Sequence, residues 1–117
     1  MDLITVYHNP RWGKSRGVVA LLDKKKVNYQ KVEYLKTGFT KEDILALSKK
    51  LNKKPLDFIR SNDIDFKSNF QSVGEEGDQG IIELIIKYPK IIERPIIVKG
   101  DVAIIGRPVD NVLKLLD

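Results

Sequence analysis

The chain has 117 residues, 42% hydrophobic and 32% charged, with a formal net charge of +5, one histidine and no cysteine. That length fits one soluble globular domain, residues 1–117, by the usual ~100–200 residues per domain. The composition excludes disulfides, cysteine-ligated zinc, iron–sulfur clusters, His-rich metal sites and any thiol nucleophile, and no apolar run approaches the ~18–20 residues of a membrane span.

Leu3–Tyr7 is a β-branched run of strand length, broken by His8-Asn9-Pro10. From Lys14 to Lys26, Val18, Val19, Leu21 and Leu22 share one helical face. Tyr29–Tyr34 alternates as a strand at or near a sheet edge. These three elements read as a βαβ unit with a parallel, right-handed crossover. Thr40 to Asp43 resembles a capping box, followed by a stripe of Ile44, Leu45, Leu47 and Leu51. Pro55 suits the first turn of a short helix to about Ser61. Residues 62–77 read as a polar, irregular surface stretch with a helical turn around Phe66–Phe70. Asp78 caps a helix through Lys87, with Ile81, Ile82, Leu84, Ile85 and Ile86 as its apolar face, and Pro89 ends it. Ile96–Lys99 and Val102–Ile105 flank Gly100-Asp101, a two-residue hairpin signal. Pro108 starts a last helix through Leu116, with Val109, Val112, Leu113 and Leu116 inward. The order β-α-β, helical insertion, β-β-α predicts an α/β thioredoxin-like fold: a four-stranded mixed sheet flanked by helices.

The loop His8-Asn9-Pro10-Arg11-Trp12-Gly13-Lys14-Ser15-Arg16 joins a strand to a helix N-terminus. Unpaired N–H groups and the positive end of the helix dipole make such a loop an anion cradle. Gly13 permits close backbone approach, and Arg11, Lys14 and Arg16 add charge. The plain alternative is an ordinary turn with solvated bases. Three further arginines stand at telling places: Arg60 after the Pro55 helix, Arg94 before Pro95, and Arg107 before Pro108. Guanidinium groups suit bidentate oxyanion binding. Their alternative is surface ion pairing with Asp57, Asp63, Glu93 or Asp110. His8 reads as an anion ligand, a tuner of a neighbouring group, or a hydrogen-bonded loop residue. Trp12 packs on the core edge, stacks on a guanidinium, or anchors a partner.

Taken together, His8-Asn9-Pro10, Ser15-Arg16, Ile92-x-Arg94-Pro95-Ile96 and Gly106-Arg107-Pro108 resemble the glutaredoxin-linked arsenate reductase family, which includes the Spx-type transcriptional regulators. The resemblance covers essentially the whole chain. It implies a cysteine in the loop after Pro10 that attacks arsenate, with glutathione and glutaredoxin completing the reduction. It also implies Arg60, Arg94 and Arg107 as oxyanion ligands, and Pro95 as the cis-proline of thioredoxin-like folds. Here Trp12 occupies the nucleophile position. An indole has no ionisable group to attack with, so the thiol route is closed to this chain.

Three readings follow. The first is a non-catalytic binding module whose anion site comprises Arg60, Arg94, Arg107, Gly13, Lys14 and Ser15, with His8, Arg11, Arg16 and Pro95 around it; the ligand would be phosphate, sulfate or arsenate, and Trp12 either fills that pocket or swings out of it. The second is a Spx-type regulator that binds RNA polymerase through basic helix ends such as Lys24–Lys26 and Lys49–Lys54. The third is an enzyme with non-thiol chemistry carried by His8 and Ser15. All three expect no catalytic cysteine, no cofactor, no metal, no membrane, no direct nucleic-acid contact, and, with no leader pattern in the opening residues, the cytoplasm.

Overall fold

A computed structural model describes residues 3–73 and 77–116. They divide into two compact units: one runs through Thr37 and resumes at Arg94, and the other is Gly38–Glu93. In sequence, the helical unit interrupts the sheet unit between Thr37 and Arg94.

The sheet unit holds β1 (Ile4–Tyr7), α1 (Gly13–Lys24), β2 (Tyr29–Val32), α2 (Tyr34–Thr37), β3 (Ile96–Lys99), β4 (Val102–Ile105), a 3₁₀ turn at Val109–Val112 and α6 (Leu113–Leu116). The sheet order is β2-β1-β3-β4. β1 pairs parallel with β2 and antiparallel with β3, which pairs antiparallel with β4. This is the expected four-stranded mixed sheet flanked by helices. Gly100 takes φ 60° while Asp101 stays out of that region, the pattern of a type II′ hairpin, whose twist matches the strands it joins.

One face of the sheet presents Ile4, Val6 and Ile97 to Val18 and Leu22 of α1 and to Val112 and Leu115, all buried. The last helix therefore turns Leu115 inward, while Leu113 is 37% exposed. The sequence assigns Leu113 to the core because it assumes uniform α-helical spacing. The segment begins instead as a 3₁₀ turn, whose tighter winding rotates the following face. Tyr34 closes no strand: it opens α2 and is fully buried there. The first crossover helix stops at Lys24, and Lys26 takes a left-handed φ of 57°. Its N–H donates to Asp23, and the Val27 N–H donates to Leu22. That is a Schellman ending, with Val27 packed against the core that holds Leu22.

In the helical unit, α3 (Lys41–Leu51) carries the capping box in full: Thr40 Oγ1 accepts from the Asp43 N–H at 3.1 Å, and the Thr40 N–H donates to Asp43 Oδ2 at 2.9 Å. Ile44, Leu47 and Leu51 are buried, but Leu45 is exposed, so the apolar stripe is narrower than the sequence suggests. Pro55–Phe58 is a single 3₁₀ turn, and Ile59 then bridges antiparallel to Ile92. Up to Val73, the polar stretch after Ser61 holds more order than its composition predicts. α4 spans Ile64–Val73, capped by Asp63, whose Oδ1 accepts from the Asp65 N–H at 2.8 Å. Residues 74–76 of that stretch lie outside the described residues. α5 is Gly77–Lys87, with Ile81, Ile82, Leu84 and Ile85 buried and Ile86 exposed, and Pro89–Ile91 forms a further 3₁₀ turn.

Candidate functional site

The turn from β1 into α1 is built from the residue types its geometry requires. The His8 N–H donates to Val32, extending the β1–β2 pairing by one residue. Asn9 and Pro10 then take the first two places of a β-turn closed by the Trp12 N–H on the Asn9 carbonyl at 3.1 Å. Proline fits the second position because its fixed φ matches the turn. The Asn9 side chain is buried, and its Oδ1 accepts from the Arg11 N–H at 3.1 Å.

Ser15 is fully buried and holds the turn from beneath. Its Oγ accepts from the Asn9 N–H at 3.0 Å and lies 2.6 Å from Nδ1 of His8, which is itself buried. Which of the two atoms donates follows the imidazole tautomer: Ser15 gives its proton when Nδ1 is bare and accepts when Nδ1 carries hydrogen. Burial holds the His8 pKa below its ordinary value; the cationic Lys31 and Arg16 push the same way, against Glu33. His8 and Ser15 are therefore a satisfied internal pair. Ser15 is 0% exposed in this turn, with its hydroxyl turned to His8 and to the Asn9 N–H rather than to the surface.

Trp12 occupies the N-cap position of α1. No side chain caps the helix there, and the first turn carries no acidic residue. The Arg94 guanidinium lies over the indole, with its central carbon 3.5 Å from the ring centroid. Arg94 is only 6% exposed, whereas Trp12 is 44% exposed. The indole thus stacks on a guanidinium, one of the options open from sequence, and remains half in solvent. A cation–π contact of this kind contributes on the order of 0.5–2 kcal/mol, more as the cation loses water.

Arg94-Pro95 is a cis peptide, as the resemblance implied; Arg107-Pro108 is cis as well, which nothing in the sequence signals. Gly106 lies against Pro95, its N–H donating to the Pro95 carbonyl at 2.8 Å. A Cβ at Gly106 would stand 2.8 Å from Ile97 Cδ1 and 2.9 Å from Val18 Cγ2, so this approach requires glycine. The Asn111 side chain then donates to the carbonyls of Ile105 and Arg107, at 3.3 and 3.2 Å, fastening the second turn. Asn111 carries no sequence signal for this role beyond its position four residues after Arg107. Arg11, Lys14, Arg16 and Arg107 are exposed, and Arg16 folds back to donate to the Pro10 carbonyl at 3.1 Å. Arg60 belongs to the helical unit. There it faces Asp63 at 3.4 Å, while Lys90 reaches Asp63 at 3.7 Å and Asp65 at 2.8 Å.

A model of the ArsC family matches residues 7–115. The chain belongs to the ArsC family. Similar proteins include an arsenate reductase of Haemophilus influenzae, 32% identical across 97% of this chain and 98% of that one. Arsenate reductase ArsI1 of a Synechocystis strain is 30% identical across 99% of this chain and 81% of its own. Among solved structures, the arsenate reductase from Vibrio cholerae superposes with a TM-score of 0.90 at 30% identity, over 97% of both chains. These likenesses establish the thioredoxin-like ArsC fold. Within it, this ArsC-family chain carries no cysteine at any of its positions. Among its described residues no helix is long and apolar enough to cross a membrane.

Proposed function

We propose that this ArsC-family protein is a binding module rather than an arsenate reductase. Its residual anion cradle is formed by the Pro10–Arg16 turn with Arg94 and Arg107. One observation carries the reading: Trp12, on the guanidinium of Arg94, stands where the resemblance places the attacking thiol. The uncapped first turn of α1 supports the cradle, because Gly13 and Lys14 present N–H groups beside exposed cations. Arg60 enters through the resemblance alone, and its pairing with Asp63 offsets part of its charge.

The test has two arms. The purified chain, supplied with arsenate, glutathione and glutaredoxin, is expected to produce no arsenite above the blank, and glutathione-dependent arsenite would end the reading. Phosphate, sulfate and arsenate are then titrated while the emission of Trp12, the sole tryptophan, is followed. Saturable change is expected, and its absence up to tens of millimolar would remove the inorganic anions as ligands. A Spx-type regulatory role stands second, favoured by the exposed Lys24, Lys25 and Lys26 at the end of α1; recovery of RNA polymerase subunits in a pull-down is its test.

A further inference from the structure

We propose that the Pro10–Arg16 turn is a docking surface for an acidic peptide segment bearing an apolar side chain, with Trp12 as its anchor. The inference rests on the binding-module reading and names the partner of that same turn. Charge favours such a partner. No acidic residue occurs from Leu3 through Leu22, and Arg11, Lys14 and Arg16 are all exposed on the turn. Arg16 is drawn back over the turn by its bond to the Pro10 carbonyl, which keeps its charge on the turn. An excess of one sign, offset here in part by the Glu33 carboxylate that acts on His8, selects partners of the other sign and accelerates their encounter.

Apolar area on the same turn favours it too. Trp12 is 44% exposed, although tryptophan is the side chain with the most to gain from burial. It is also held in place, because one ring face rests on a guanidinium whose own residue is buried. A pre-positioned aromatic loses little conformational freedom on binding, which is why such residues dominate interface energetics. Inorganic phosphate uses the charge and leaves the indole area unused, whereas a peptide with carboxylates around an apolar side chain uses both. A single-stranded nucleic acid stacks successive bases on several aromatic platforms; this turn offers one ring with one face already taken.

The probe is a fluorescein-labelled decapeptide of Glu and Asp with a central Leu, titrated with the full chain and read by anisotropy and by Trp12 emission. Saturable, salt-weakened binding is expected. Trp12→Ala should weaken it about 30-fold or more, and Trp12→Phe, which keeps a ring on Arg94 and so guards against misfolding, several-fold. The pair Arg11→Glu/Lys14→Glu should weaken binding at least tenfold. The charge-matched pair Lys24→Glu/Lys25→Glu should stay within twofold. Four results would overturn the proposal: no saturable binding, unchanged affinity in both Trp12 variants, equal loss from the two charge-reversed pairs, or tighter binding of labelled dT10 than of the peptide. Peptide failure with a phosphate response intact at Trp12 sinks this inference and spares the anion cradle; peptide binding without any phosphate response does the reverse.

Discussion

At position 12 the N-terminus of α1 presents the same N–H donors and the same dipole to whatever side chain stands there. An indole cannot use them, but a thiolate can. Trp12→Cys is therefore expected to yield a thiol titrating below the ordinary ~8.5, because the helix end and the neighbouring Arg94 both favour the anion. The pH dependence of iodoacetamide labelling measures it, and a midpoint at the ordinary value would mean that the turn no longer stabilises negative charge. His8 offers a second check. Its folded pKa lies below the unfolded 6.5, so between those values the unfolded chain binds more protons and stability rises with pH. Acidification from pH 7 should accordingly destabilise the protein as the pH passes below about 6.5. His8→Asn, which keeps a polar group near Ser15, should flatten the part of that slope due to His8 when urea midpoints are compared at pH 7 and 5. Equal slopes for the two proteins would contradict the neutral buried imidazole.

Among the elements, the end of α1 shows where local pattern reading stops. Lys26 adopts φ 57°, a conformation that costs an L-residue about 1–2 kcal/mol over glycine in its steric terms. Lys26→Gly is expected to raise stability by about 1 kcal/mol in urea denaturation, after the greater freedom of glycine in the unfolded chain is set against the relief. No change, or a loss, would mean that the Lys26 side chain contributes something its exposure does not suggest. A helix that ends without glycine lacks the residue that fixes its last turn, so the sequence pattern extends to Lys26, two residues past Lys24. By contrast, Thr40 and Asp43 lie three apart and bond reciprocally, so spacing alone exposed their box. Asp63 caps α4 with a single bond, but the polar residues around it disguise the helix as loop. The Trp12–Arg94 contact joins residues far apart in the chain. Each was suspect by type and place, yet no local signal pairs them; the pairing exists only once the strand order brings the ends of β1 and β3 together, Tyr7 opposite Ile96.

For the whole molecule, sheet topology and family were legible because they depend on element order and on motifs spread from His8 to Pro108. The division into a sheet unit and a helical unit was visible only as an insertion, since composition does not shift at Gly38 or Glu93. The strand order has a consequence for how copies of the chain meet. β2 and β4 are the outer strands, and their rims are guarded unequally. β2 carries exposed Gln30 and Lys31, whereas β4 reads Val102-Ala103-Ile104-Ile105 with Val102 52% exposed and no charge in the strand. Charge on an outer strand discourages further strand addition, and its lack invites it. Self-association on heating should therefore grow from the β4 rim: Val102→Lys is expected to delay the onset of light scattering, and a matching charge added on β2, Gln30→Lys, to leave it where it was.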